Sequence, residues 1–184
     1  AAGLLLNAAR RFEPLNLQLA RDTYLTACGA GIGFAEQSGK GDVLLEICHA
    51  VRALPPSPDD PRPLDLMLDG LALLITEGHA AAAATLQRAA KVLTSIPVEE
   101  VLRWGWVATG ASAAMWDFEG FLAISIRQVQ LVREVGALAE LPLHLAQLGI
   151  ARAWMGDFAA AAPLIAESDS VAAATGSHFP PYAL

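Results

Sequence analysis

The segment LGIARAWMGDFAAA, residues 148–161, decides the fold that we predict for this chain. Its first half has a helical composition, and Gly156 with Asp157 forms a turn signal before a second helical stretch. Gly149 has no Cβ atom, so it allows a neighbouring helix to approach closely. The segment therefore predicts two helices joined by a short turn.

A similar turn signal returns along the chain at an almost constant interval. Gly39, Gly78, Asp117 and Gly156 are spaced 39 residues apart, and each lies between two stretches with helical patterns. Periods of about 20–50 residues are typical of stacked repeats, because one helix pair cannot bury its apolar face alone. The interval predicts about four successive antiparallel helix hairpins that form an α-α superhelix.

The rest of the chain is consistent with this all-α class, since no stretch shows the alternation typical of a β-strand. Segment 64–77 is apolar almost all round, so we expect it to be buried on most sides. Segment 118–135 is amphipathic, and we expect its core face to contain Phe118, Phe121, Leu122, Val129 and Val132. We predict helices over residues 4–12, 16–37, 43–53, 64–77, 79–93, 97–116, 118–135, 142–156 and 158–175.

The hairpin at 148–161 resembles the tetratricopeptide repeat. The matching positions are Leu148, Gly149, Gly156, Asp157, Phe158 and Ala161. Arg152 stands where that pattern has a tyrosine, the terminal proline is missing, and the period exceeds the usual ~34 residues. The resemblance implies a tetratricopeptide-like repeat, and we treat residues 1–184 as a single helical-repeat domain.

Composition excludes several classes of protein. The chain has a formal charge of −7 and shows no basic face, which argues against direct binding to a phosphate backbone. No apolar run reaches the ~18 residues that a membrane span needs. Cys28 and Cys48 lie in helical patterns, and we expect them to be free buried thiols of a cytoplasmic protein.

No stretch of the sequence has the pattern of a catalytic or metal site. The glycine-rich segment 29–42 has the wrong spacing for a phosphate loop, and no strand precedes it. Asp65 and Asp69 form a carboxylate pair one helical turn apart, but we favour a solvent-facing stripe with Arg62 nearby. We expect surface or helix-end positions for the histidines, which have no metal-ligand spacing: His49, His79, His144 and His178.

The tryptophans of segment 97–116 are the candidates for ligand or partner contacts. One of Trp104 or Trp106 could face a concave groove and stack on a bound group, although core packing of all the tryptophans is the alternative that we favour. The residues that we assign to this groove are Asp69, Arg103, Trp104, Trp106, His144 and Arg152.

Longer stretches resemble the large ATP-binding LuxR-type transcription regulators of actinobacteria, which are relatives of the maltose regulator. The stretches are FEPLNLQLARDTYLTA (12–27), PRPLDLMLDGLALLITEGHAAAAATLQRA (61–89), EEVLRWGWVATGASAAMWD (99–117) and RQVQLVREVGALAELP (127–142). The resemblance implies a non-enzymatic sensor segment that binds protein partners or a small effector. It also implies that ATP binds to a neighbouring N-terminal domain, and that DNA is bound by a C-terminal helix-turn-helix outside this segment.

Two observations at the chain ends agree with an excised piece of a longer protein. The first residue is not Met, and Pro180-Pro181 is typical of the first turn of a further helix. Two other functions stay open at this point. A generic tetratricopeptide-like scaffold would need neither neighbouring domain, and an α-helical hydrolase or lyase would need a catalytic group that the sequence pattern does not reveal.

Overall fold

A computed structural model describes residues 1–33, 41–55, 61–93 and 98–177. Within these ranges every regular element is an α-helix and no strand is present, which confirms the all-α class. The chain divides into two compact units, Ala1–Val92 and Leu93–Leu184, and each is described by itself.

The helices follow the predicted order closely. The first unit contains α1 (Ala2–Phe12), α2 (Leu17–Gly33), α3 (Gly41–Ala53), α4 (Pro63–Glu77) and α5 (His79–Leu93), whose last residue belongs to the second unit. The second unit contains α6 (Val98–Ala114), α7 (Phe118–Val135), α8 (Leu141–Trp154) and α9 (Phe158–Thr175). The predicted helix over 97–116 is too long, because Met115 and Trp116 lie in the turn after Ala114.

The first unit is built around α2 and α4. Helix α2 packs against α1, α3 and α4, and α3 also packs against α4. Almost the whole first two turns of α4 are buried, as its apolar composition predicts. Fully buried side chains of this unit include Tyr24, Leu25, Ile47, Met67, Leu68 and Leu86.

In the second unit each helix packs against the next one along the chain. Its hydrophobic core joins α7 to α8 through Val129, Val132, Leu141, Leu145 and Leu148. Leu164 and Val171 of α9 pack against this cluster. The amphipathic pattern of 118–135 is confirmed for Val129 and Val132, but Phe118 is exposed rather than in the core.

The two turns of the second unit share one backbone pattern with a spacing of 40 residues. The Asp117 amide donates to the Ser112 carbonyl and the Asp157 amide to the Arg152 carbonyl, both at 2.9 Å. Each aspartate then caps the next helix, accepting from the Gly120 or Ala160 amide. The residue equivalent to Gly156 is therefore Trp116, whereas the 39-residue interval predicted Asp117. Gly39 lies outside the described residues.

Glycines allow close helix contacts at equivalent places in two hairpins. A Cβ atom on Gly70 would lie 2.4 Å from Leu86 Cδ2, and one on Gly149 would lie 2.6 Å from Ile165 Cδ1. A larger residue at either position requires the opposite Leu86 or Ile165 side chain to move. The close packing predicted for Gly149 is confirmed. The same sequence spacing in the hairpin of α6 and α7 falls on Thr109 and Ser125, which are both buried, where the other hairpins have glycine and an aliphatic side chain.

Candidate functional site

The first unit contains a network of charged side chains around the buried Arg21 and Asp65. Arg21 of α2 donates through Nε to Asp65 Oδ1 at 2.7 Å and through Nη2 to Asp69 Oδ1 at 2.6 Å. Arg62 donates through Nε to Asp65 Oδ2 and through Nη2 to Asp22 Oδ1, both at 2.9 Å. Two guanidinium groups therefore bind three carboxylates, with Asp65 at the centre.

This network keeps the Asp65 carboxyl group ionised. Burial alone would raise the pKa of Asp65, but hydrogen bonds from Arg62 and Arg21 and their charges hold this pKa below its usual value. The expected solvent-facing position of Asp65 is wrong, since both Arg21 and Asp65 are buried. Arg62 is a partner, as expected. Arg21 was missed because it is 44 residues distant in sequence and no local pattern pairs it with α4.

The second unit instead buries a set of polar side chains that are all neutral. Three helices each contribute two buried polar side chains spaced three residues apart: Thr109 and Ser112 of α6, Ser125 and Gln128 of α7, and His144 and Gln147 of α8. Gln147 Nε2 donates to Thr109 Oγ1 at 2.8 Å and links α8 to α6. Gln128 lies against Gly105, because a Cβ atom there would be 1.9 Å from Gln128 Nε2. We name these six side chains the neutral cluster.

Several polar atoms of the neutral cluster have no hydrogen-bond partner among the described residues. They are Ser112 Oγ, Ser125 Oγ, Gln128 Nε2 and Oε1, His144 Nδ1 and Gln147 Oε1. Each buried polar group without a partner costs about 1–3 kcal/mol. The sequence does signal the cluster: Ser125 and Gln128 interrupt the apolar face of α7, an interruption that the sequence prediction passed over.

His144 lies at a helix end, as one of the two expected kinds of position for the histidines, but it is buried and not on the surface. It is only 2% exposed and lies within the first turn of α8. Burial lowers the pKa of His144 below its ordinary value of 6.5, and the nearby amide of Gln147 opposes this shift only in part. The imidazole is therefore neutral near pH 7. His49 and His79 are exposed, and His178 lies outside the described residues.

The six predicted groove residues are divided between the two units. Asp69 belongs to the first unit and is bound to Arg21, whereas the other five belong to the second. Trp104 is 4% exposed in α6, and Arg152 is partly exposed with Nη1 3.8 Å from Asp157 Oδ2. The backbones of Arg103 and Trp106 lie in α6, but their side chains are outside the described residues. A ligand role for these residues stays a prediction.

A group of exposed aromatic side chains lies at the two turns of the second unit. Trp116 and Phe118 meet edge to face with ring centroids 5.9 Å apart, and Phe118 meets Trp154 in the same way at 5.7 Å. Trp154 also contacts Phe121 at 5.2 Å. Trp116 is 74% exposed and Phe158 68%, and Trp154 is about half exposed. The sequence prediction missed this surface because it assigned Trp116 and Phe118 to helix faces.

The remaining candidate groups are metal-ligating side chains and the two cysteine thiols. Among them, no group of three or more histidine, cysteine, aspartate or glutamate residues could hold a metal ion. Cys28 and Cys48 are buried and free, as expected. None of the helices in the described ranges is long and apolar enough to cross a membrane.

Comparisons with known proteins identify no relative. No family model, curated protein or solved structure matches this chain.

Proposed function

We propose that this chain is a helical-repeat interaction segment that binds a protein partner or an effector and performs no catalysis. Its hairpins form a tetratricopeptide-like α-α superhelix in a cytoplasmic transcription regulator of the ATP-binding LuxR type. In this proposal ATP and DNA are bound by neighbouring domains of the longer protein.

The observation that supports the proposal best is the repetition of one hairpin design. The hairpins of α4–α5 and α8–α9 use the same close contact, in which a glycine of the first helix meets an aliphatic side chain of the second. The turns before α7 and α9 share their hydrogen bonds and aspartate caps. Repeated hairpins stack into extended surfaces, and proteins of this design act mainly through those surfaces.

The buried charged network supports a structural rather than a catalytic use of its carboxylates. Asp65 binds both Arg21 and Arg62, and Asp69 binds Arg21. A general acid needs a raised pKa near the working pH, whereas these arginines lower the pKa of Asp65.

The test is to read the coding sequence on either side of this segment and to express the complete protein. We expect an ATP-binding loop upstream, a helix-turn-helix downstream, and ATP-dependent assembly of the protein on DNA. Absence of both flanking domains would contradict the regulator and leave a generic repeat scaffold. Turnover of a substrate by the isolated 184-residue chain would contradict the non-catalytic role.

A further inference from the structure

The exposed apolar side chains at the two turns of the second unit form one candidate docking surface. We name it the turn surface, and it consists of Trp116, Phe118, Trp154, Met155 and Phe158. Single exposed apolar residues are common on proteins, but a group of neighbouring exposed aromatic rings marks an interaction site. Tryptophan is also among the residues that most often dominate binding energy at protein interfaces.

The backbone at Trp116 has a left-handed conformation, which is independent of the exposure of its side chain. Its φ angle is 57°, and it is the only non-glycine residue with a positive φ in the part of the chain that the structure describes. The equivalent residue of the next turn is Gly156, with φ of 80° and the same pattern of turn hydrogen bonds. A left-handed conformation costs a residue with a side chain about 1–2 kcal/mol, and bulky residues rarely adopt it.

The fold gains little from Trp116 in return for this strain. Three quarters of its surface is accessible to solvent, and its described ring contact is with Phe118. Glycine forms the same turn at position 156 without a side chain. Backbone strain that the fold does not need is typical of positions kept for binding.

Three rings of the turn surface pack against one another before any partner arrives: Trp116, Phe118 and Trp154. Phe118 lies between Trp116 and Trp154, and Trp154 is also held by the buried Phe121. Edge-to-face contacts of this kind are worth about 0.5–1.5 kcal/mol each beyond the buried area. A preorganised surface loses less side-chain entropy on binding than a mobile one.

The charge around the turn surface indicates the chemistry of the partner. Asp117, Glu119 and Asp157 lie at the two turns, and Arg152 Nη1 lies 3.8 Å from Asp157 Oδ2. Residues 93–184 contain nine acidic residues, four arginines and no lysine. A partner with positive charge is therefore attracted, whereas nucleic acids, anionic lipids and a second copy of this acidic unit are repelled.

We propose that the turn surface binds a basic segment of a partner protein in which arginine or lysine residues stand beside apolar ones. The apolar residues pack on Trp116 and Phe158, and the cationic groups lie over the aromatic faces near Asp117 and Glu119. Cation–π contacts and opposite charge act together at such a surface. The proposal rests on the proposed function as an interaction segment and names the class of its partner.

The experiment selects peptides from a random phage-displayed library on the immobilised 184-residue chain. We expect enriched peptides that combine arginine or lysine with aromatic or aliphatic residues. Trp116→Gly and Phe158→Ser should each weaken binding of a selected synthetic peptide by about tenfold or more. Leu138→Ser is the matched control, because Leu138 is an exposed apolar residue of the same unit outside the turn surface. It should leave the affinity unchanged.

Other outcomes would overturn the proposal. Enrichment of acidic peptides, equal binding to wild type and Trp116→Gly, or no enrichment at all would each contradict it. Concentration-dependent dimerisation that Trp116→Gly abolishes would replace the basic partner with a second copy. Peptide selection does not depend on which domains flank the segment. A result that contradicts the proposed regulator therefore leaves this inference untouched, and the reverse is also true.

Discussion

The two units of this chain handle buried polarity in opposite ways. In the first unit the buried polar groups are mainly charged, and Arg21 and Asp65 each bind more than one partner. In the second unit they are neutral, and six of their described atoms have no hydrogen-bond partner among the described residues. The second unit also has the strained and exposed Trp116. Among the described residues, departures from local rules are therefore concentrated in the second unit, which is where we expect function.

The physical reason for the contrast is the cost of leaving a group unpaired. An unpaired buried charge costs several kcal/mol, so a charged network must be complete or absent. A neutral hydroxyl or amide without a partner costs about 1–3 kcal/mol, which a folded unit can tolerate at a few positions. The first unit thus pairs its buried charges, whereas the second tolerates buried polar atoms without described partners.

The largest effect is expected from breaking the charged network with Arg21→Met. This change removes the guanidinium that Asp65 and Asp69 share while Asp65 keeps Arg62, and we expect the first unit to lose about 2–3 kcal/mol of unfolding free energy. Urea denaturation followed by far-UV circular dichroism measures the loss. Arg52→Met is the matched control, because Arg52 forms an exposed pair with Glu77 worth about 0–1 kcal/mol. Equal losses for the two variants would show that the network is not structural.

A gain in stability is expected from Gln128→Met in the neutral cluster. Methionine has a similar shape and removes two buried atoms without partners, so we expect the second unit to gain about 1–2 kcal/mol. All four tryptophans lie in the second unit, so their fluorescence follows its unfolding specifically. Gln130→Met, an exposed change on the same helix, should stay within about 0.5 kcal/mol. A loss for Gln128→Met would mean that bound water or a ligand satisfies the amide.

The smallest effect is expected from pH, and it differs between the units. The folded state lowers the pKa of His144, so the unfolded chain binds a proton first as the pH falls below 6.5. Stability of the second unit should therefore decrease from that pH downward, and His144→Phe should remove the decrease. The network lowers the pKa of Asp65, so the ionised carboxylate stabilises the first unit at neutral pH. This stabilisation is lost only as the pH falls below the ordinary pKa of about 3.8. Urea denaturation at pH 7 and pH 5, followed by tryptophan fluorescence, tests the decrease in the second unit, and equal stability at the two pH values for wild type would contradict it.

The sequence predicted the features that depend on short stretches of the chain. Gly78 and Gly176 end helices as expected, Gly149 makes its close contact, and the apolar composition of 64–77 matches a buried α4. Local spacing is sufficient for such features, because each depends on residues within a few turns of one another.

Features that depend on distant residues were not predicted. The bond between Arg21 and Asp65 joins residues 44 positions apart, and the neutral cluster becomes visible only when α6, α7 and α8 are together. The turn around Trp116 was missed for another reason. Tryptophan is not a turn residue, and only the 40-residue match to Gly156 places it in a left-handed conformation.

The claim that Trp116 is kept for binding and not for folding is tested most directly by the unfolding free energy of Trp116→Gly. Relief of backbone strain should offset the lost contact with Phe118, so we expect a change of no more than about 1 kcal/mol. Trp104→Ala, at a buried tryptophan of the same unit, should lose about 3–5 kcal/mol. A loss for Trp116→Gly as large as that for Trp104→Ala would make Trp116 a structural residue and contradict the account.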